Sequence, residues 1–164
     1  MSEQREISFT LNGQAYRERV PVRLHLIDFL RARFQLSSPR VGCEQGVCGV
    51  CTVRVDGEIA RGCLMLAVQL DGRSVETLEG LTDTGEIRDL QDAFITRNAA
   101  QCGYCTSGVL ITSAELLRAG RPVSREEIRD HLSGNICRCT GYEAIVDAIG
   151  TTIQSRLANG GRTL

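Results

Sequence analysis

Lysine is absent from all 164 residues, so every one of the 19 basic side chains is arginine. That removes a Walker-type phosphate loop and a Schiff-base mechanism together. Only His25 and His131 represent histidine; neither has a second histidine at ligand spacing, so both read as surface or packing residues. No G-x-G-x-x-G follows a plausible strand, and dinucleotide binding by this chain is not expected. A net charge of −1 leaves no electrostatic footprint for nucleic acid. No apolar run is long enough to span a bilayer, and Met-Ser-Glu-Gln-Arg-Glu lacks both the apolar core of a secretory signal and a twin-arginine pair. The expectation is a cytoplasmic protein without a membrane segment. In such a reducing compartment its eight cysteines are better explained by metal than by disulfides.

The densest group of cysteines lies in Gly-Cys-Glu-Gln-Gly-Val-Cys-Gly-Val-Cys-Thr, residues 42–52. Cys43, Cys48 and Cys51 stand at C-x4-C-x2-C, and Cys63 is available downstream as a fourth thiolate. This is the plant-ferredoxin spacing for a [2Fe-2S] cluster, in which one loop supplies three ligands and a separate element the fourth. A cluster with four thiolates is anionic, so the loop must bring backbone N–H groups close. Gly42, Gly46 and Gly49 permit that approach.

Around this loop the pattern alternates. Ile7, Phe9 and Leu11 precede Asn12-Gly13, a strong hairpin signal, and the return strand runs from Gln14 to Val20. Pro21 ends it, and Leu26 to Phe34 reads as a helix with Leu26, Ile27, Leu30 and Phe34 on one face. Thr52–Val55 and Glu58–Ala60 flank Asp56-Gly57, a second turn of the same kind, and Ser74–Thr77 adds a last strand. Hairpin, helix, hairpin is the order of a β-grasp fold.

After Leu81 the periodicity becomes helical. Residues 82–86 read as a linker dividing a domain at 1–81 from one at 82–164. Helices are expected over Asp89–Asn98 and Ser107–Ala119, the latter apolar around much of its circumference and stopped by Gly120 and Pro122. A third starts at Ser124, with Glu127 completing a capping box and Val123 and Ile128 a hydrophobic staple. A fourth spans Tyr142–Leu157, where Thr140 and Glu143 repeat the box spacing. The glycine-rich tail from Ala158 is expected to fray. The fold class is thus α+β: a β-grasp, plant-ferredoxin-like domain followed by a four-helix domain.

Cys102 and Cys105 precede the second of these helices, and Cys137 and Cys139 the fourth. Free N–H groups and the helix dipole favour an anionic centre there. A C-x2-C with a C-x-C is not a ferredoxin loop, and by itself this set also admits zinc.

Taken with the first set, Gln-Cys-Gly-Tyr-Cys-Thr and Gly-Asn-Ile-Cys-Arg-Cys-Thr-Gly-Tyr make the chain resemble, over nearly its whole length, the small iron-sulfur subunit of the molybdenum hydroxylases. This is the xanthine dehydrogenase and aldehyde oxidase family, which includes carbon monoxide dehydrogenase-like members. The resemblance implies two [2Fe-2S] clusters: one on Cys43, Cys48, Cys51 and Cys63 toward flavin, the other on Cys102, Cys105, Cys137 and Cys139 beside molybdenum. It further implies that Gln101 hydrogen-bonds the pyranopterin of the molybdenum cofactor and that Cys139 lies against it. A large molybdopterin-binding subunit and a medium FAD-binding subunit would be partners, in a heterotrimer or a dimer of heterotrimers. Electrons would then pass from molybdenum through both clusters to FAD, with no substrate site or catalytic residue on this chain. The second reading is a stand-alone ferredoxin-like carrier or sensor. The family commonly has Thr-Pro-Gly after the cysteine where this chain has Thr106-Ser107-Gly108; a serine N-cap would serve the same end as a proline. Tyr104 and Tyr142 read as packing residues beside the clusters, and Arg138 as an exposed arginine.

Overall fold

Strands fill the first half of the chain and helices most of the second, in a computed structural model that describes residues 3–160. Strands β1 (Gln4–Leu11) and β2 (Gln14–Pro21) pair antiparallel, with Leu11 opposite Gln14. Asn12 and Gly13 between them have φ of 50° and 81°. Two positive φ values in a two-residue loop give the twist a hairpin needs. β3 (Thr52–Val55) and β4 (Glu58–Arg61) repeat the device, with Asp56 and Gly57 at 50° and 88°.

A late strand, β5 (Ser74–Glu76), runs between the hairpins, parallel to β1 and antiparallel to β3. The sheet order is therefore β2-β1-β5-β3-β4. Helix α1 (Leu26–Phe34) covers one face, packing Leu26, Phe29 and Leu30 against Ile7, Phe9, Leu11, Val53 and Val55. Phe29 takes the fully buried place expected of Phe34, which instead sits edge-on to Tyr16 at 4.9 Å between ring centres.

Every residue of β3 is buried, because the sheet is covered on both sides. Val53 and Val55 face α1. Strand alternation then turns Thr52 and Arg54 toward the helical half. Among the described residues five helices form that half, one more than the four-helix bundle expected: α2 (Leu78–Asp83), α3 (Arg88–Thr96), α4 (Thr106–Arg118), α5 (Arg125–His131) and α6 (Glu143–Ala158). Leu90, Phe94, Ile111, Ile128, Ile145 and Ile149 meet in one apolar core. Ten of the thirteen residues of α4 are buried; this helix is central, touching the sheet on one side and α5 and α6 on the other.

Three local expectations change. The linker expected at 82–86 begins inside α2, since Gly80 and Leu81 are buried and the helix runs on to Asp83. The Ser124–Glu127 capping box forms as expected, but Thr140 does not cap α6. There the N-cap is Tyr142 at φ 68°, following Gly141 at 65°; two successive left-handed residues turn the chain and carry the Thr140 hydroxyl elsewhere. Nor is Ser107 an N-cap, because α4 begins one residue earlier. Ala158 closes α6, and the remainder of the expected frayed tail, residues 161–164, lies outside the described residues.

No helix among the described residues is long and apolar enough to cross a membrane.

Candidate iron-sulfur sites

The loop before β3 turns through Glu44, Gly46 and Gly49, at φ of 54°, 75° and 75°. Gly49 is required by what approaches it, since a Cβ there would sit only 2.3 Å from the Gly134 carbonyl oxygen. The turn aims N–H groups inward, and those of Gln45 and Cys48 both reach Cys43 Sγ at 3.4 Å. Together, Cys48 first, they pull the Cys43 thiol down to about 6.

The fourth cysteine arrives through the sheet. Thr52 pairs with Arg61 across the β3–β4 ladder, and Gly62 N–H donates to Cys51 O at 3.1 Å. That register brings Cys51 and Cys63, 2% and 4% exposed, to an Sγ–Sγ distance of 3.3 Å. Burial pushes the Cys51 thiol up to about 11, so a protein-bound cation or cluster would have to stabilise its thiolate.

At the second set, Cys105 is the N-cap residue of α4 and Cys137 lies beside it. Burial first, then the Cys137 contact, pushes the Cys105 thiol up to about 12. Burial also acts on Cys137, yet the Thr140 hydroxyl and the N–H groups of Cys139 and Thr140 outweigh it and lower the thiol. Cys102 and Cys139 are exposed and 3.6 Å apart at sulfur. The Tyr104 N–H lowers Cys102, whereas the hydrogen bond with Cys102 raises Cys139.

All eight cysteines are free thiols that fall into neighbouring pairs. Two sulfurs on one tetrahedral metal, each bound at about 2.3 Å, lie about 3.8 Å apart. Cys102/Cys139, at 3.6 Å, come near that spacing, and Cys51/Cys63, at 3.3 Å, would open slightly to reach it. Paired sulfurs suit a binuclear iron-sulfur centre, in which each iron takes two thiolates.

The two sets are bound into one seam. Ile136 N–H donates to Cys48 O at 2.9 Å, Asn135 Nδ2 to Gly49 O at 3.2 Å, and Arg61 Nη2 to Gly134 O at 2.8 Å. Asn135 is buried and its Oδ1 accepts from Thr112 at 3.0 Å, which fixes the amide's orientation. Further along, Arg40 Nη1 donates to Gly103 O at 2.7 Å, Tyr104 OH to Val41 O at 2.5 Å, and Ser107 Oγ to Ser38 O at 2.7 Å. Glu79 steadies the Ser38 end by accepting the N–H groups of Ser37 and Ser38 at 3.1 and 2.9 Å. Gly108 leaves no slack, since a Cβ there would stand 2.1 Å from Gly49 O.

Each cysteine expected to bind metal is thus near its expected companions. Gln101 is exposed next to Cys102, and Arg138 is exposed. Tyr142 is half-buried; its hydroxyl accepts the Cys137 N–H at 2.7 Å and donates to Asn135 O at 3.1 Å. Asn135, Arg61 and Thr140 carry roles that motif spacing does not reveal. Among the described residues five large apolar side chains are exposed, and four of them adjoin a cysteine in sequence: Val47, Leu64, Tyr104 and Ile136.

Residues 9–78 match the family described as 2Fe-2S iron-sulfur cluster binding domain, and residues 77–150 match the [2Fe-2S] binding domain family. The chain is 50% identical over 146 residues to the caffeine dehydrogenase subunit gamma of a Pseudomonas species, covering 87% of each chain. It is 47% identical over 148 residues to the nicotine 6-hydroxylase small subunit of Paenarthrobacter nicotinovorans, covering 90% of this chain and 89% of that one. Among solved structures, a chain of quinoline 2-oxidoreductase from Pseudomonas putida 86 superposes with a TM-score of 0.88 at 45% identity, covering 98% of this chain and 100% of the other. These relatives are subunits of larger oxidoreductases and do not favour a free-standing carrier. Two thiolate quartets on one seam, in a chain matched along most of its length by such subunits, place this protein in the family of small [2Fe-2S] iron-sulfur subunits of the molybdenum hydroxylases.

Proposed function

We propose that Cys43, Cys48, Cys51 and Cys63 hold one [2Fe-2S] cluster and Cys102, Cys105, Cys137 and Cys139 the other, so that the chain is the electron relay of its complex. The carrying observation is the seam: the loop bearing Cys43–Cys51 and the segments bearing Cys105 and Cys137 are hydrogen-bonded directly to each other. A rigid short separation is what transfer between two centres needs. The clusters supply one-electron redox chemistry; the protein holds the thiolates, excludes water from Cys51 and Cys63, and leaves Cys102 and Cys139 open to a neighbour.

In this reading residues 1–81 are a β-grasp ferredoxin-like domain and residues 82–164 a helical [2Fe-2S] domain. Gln101 and Cys139 lie toward the molybdenum cofactor of a large subunit, and Gln101 is suited to a pterin because an amide donates and accepts at once. FAD sits on a medium subunit nearer the first set. The assembly is a heterotrimer or a dimer of heterotrimers. Val47, Leu64, Tyr104 and Ile136, exposed apolar side chains each next to a cysteine in sequence, support docking around the cysteines. Eight free thiols suit the cytoplasm.

Purification from the native host tests the assignment. Co-purification with two larger chains, one carrying molybdenum and one FAD, is expected. A stable brown monomer without partners would overturn it in favour of a carrier.

A further inference from the structure

Among the described residues, Cys137 is the one cysteine of the eight whose sulfur accepts a hydroxyl hydrogen bond. Thr140 Oγ1 donates to Cys137 Sγ at 3.1 Å and accepts the Tyr142 N–H at 3.3 Å. The second contact matters, because it occupies an oxygen lone pair and leaves the hydroxyl proton free to point at sulfur. At the first set the sulfur of Cys43 accepts the N–H groups of Gln45 and Cys48, with no hydroxyl donor among the described residues.

The geometry is held from both ends. Gly141 and Tyr142 are both left-handed, at φ of 65° and 68°, which folds Thr140 back over Cys137 instead of forward onto α6. The Tyr142 hydroxyl closes the loop by accepting the Cys137 N–H and donating to Asn135 O. Helix α6 has no side-chain cap. The Thr140 hydroxyl is therefore not spent on the helix, although its spacing from Glu143 would have allowed it.

A donor aimed at a ligand sulfur stabilises whichever redox state carries more negative charge, and reduction adds an electron. We propose that Thr140 is a positioning residue that raises the reduction potential of the cluster on the helical half through its hydrogen bond to Cys137. This rests on the reading that Cys102, Cys105, Cys137 and Cys139 hold a cluster. The first cluster, with no hydroxyl of this kind on a sulfur, is the internal reference.

The test is an EPR-monitored redox titration of the purified native complex carrying Thr140→Val, which keeps the shape and loses the donor, or Thr140→Ser, which keeps the donor. The valine variant is expected to titrate its helical-half cluster at a more negative midpoint, the serine variant at the wild-type midpoint, and the first cluster unchanged in both. Pulsed EPR after exchange into D2O should show exchangeable deuterons coupled to the helical-half cluster, with one coupling present in the wild type and the serine variant and lost in valine while those of the Cys139 and Thr140 N–H groups remain. A wild-type midpoint in Thr140→Val, or an equal shift in Thr140→Ser, overturns the proposal. So does loss of that cluster's signal in both Thr140→Val and Thr140→Ala, which would make the residue structural. Absence of a second [2Fe-2S] signal from the wild type would instead overturn the assignment of the cluster itself.

Discussion

The two cysteine quartets reach similar sulfur geometry by opposite means. In the first, a strand ladder sets Cys51 against Cys63 inside the protein, and a glycine loop turns N–H groups onto the outlying Cys43. In the second, two helix-leading segments meet, and the pair at their tips, Cys102 and Cys139, stays exposed. The first site is therefore complete within its own half, while the second has an open side. An open side beside Gln101 is what a chain needs if its electrons come from a cofactor held by another subunit.

The largest expected effect separates the quartets outright. Cys51→Ser should remove one [2Fe-2S] EPR signal and about half the iron, and Cys105→Ser the other signal and the other half. If either variant lost both signals, the sites would not be independent in assembly.

Filling the seam comes next. Gly108→Ala places a methyl 2.1 Å from the Gly49 carbonyl, where neither backbone can yield cheaply. Overpacking of this kind costs about 3 kcal/mol, read as a fall in the thermal midpoint of the purified complex. A comparable loss is expected for Arg54→Met. Arg54 is buried between Glu76 and Glu86, bonded to them at 2.8 and 2.7 Å, and ties the sheet to the connector before α3. The two carboxylates left behind are 32% and 29% exposed and partly solvated, so losing their charged hydrogen bonds costs about 1–3 kcal/mol.

That cluster also sets an acid limit. Arg54 holds Glu86 below its ordinary carboxylate range. A depressed folded value means the stabilisation is present above the unfolded value and lost as pH falls through the folded one. The thermal midpoint should therefore drop on acidification below the usual carboxylate range, with a shallower slope in Arg54→Met.

Smaller effects test single bonds of the seam. Asn135→Ala leaves the Thr112 hydroxyl without its buried partner and removes one bond from Gly49 O, which still accepts from Thr52, and should cost about 1–3 kcal/mol. Ser107→Ala removes one bond to Ser38 O and should cost about 1 kcal/mol, leaving both EPR signals in place.

How much of the molecule is legible in its sequence depends on whether the signal is local. Asn12-Gly13 and Asp56-Gly57 announce their hairpins because a two-residue turn with positive φ accepts few residue types. Ser124 and Glu127 announce their cap because both partners lie within one turn. The cysteine spacing singles out the candidate ligands. It does not show that Cys102 neighbours Cys139 while Cys105 neighbours Cys137, since that depends on how α4 and α6 meet. Helix α2 escapes a reading of the sequence because it is six residues long and contains Gly80 and Thr82, weak helix formers held there by packing. Thr140 misleads because the capping-box spacing presumes a helical entry, and a left-handed Gly141-Tyr142 pair intervenes. The seam of Gly49, Gly108, Gly134 and Asn135 joins residues far apart in the chain, so no window of sequence contains it.

The most direct test of two independent binuclear centres is iron and acid-labile sulfide per chain, with EPR of the dithionite-reduced complex at several temperatures. About four irons and about four sulfides are expected, as two four-cysteine [2Fe-2S] sites require, with two signals of different relaxation. One signal, about two irons and a zinc ion would contradict that expectation.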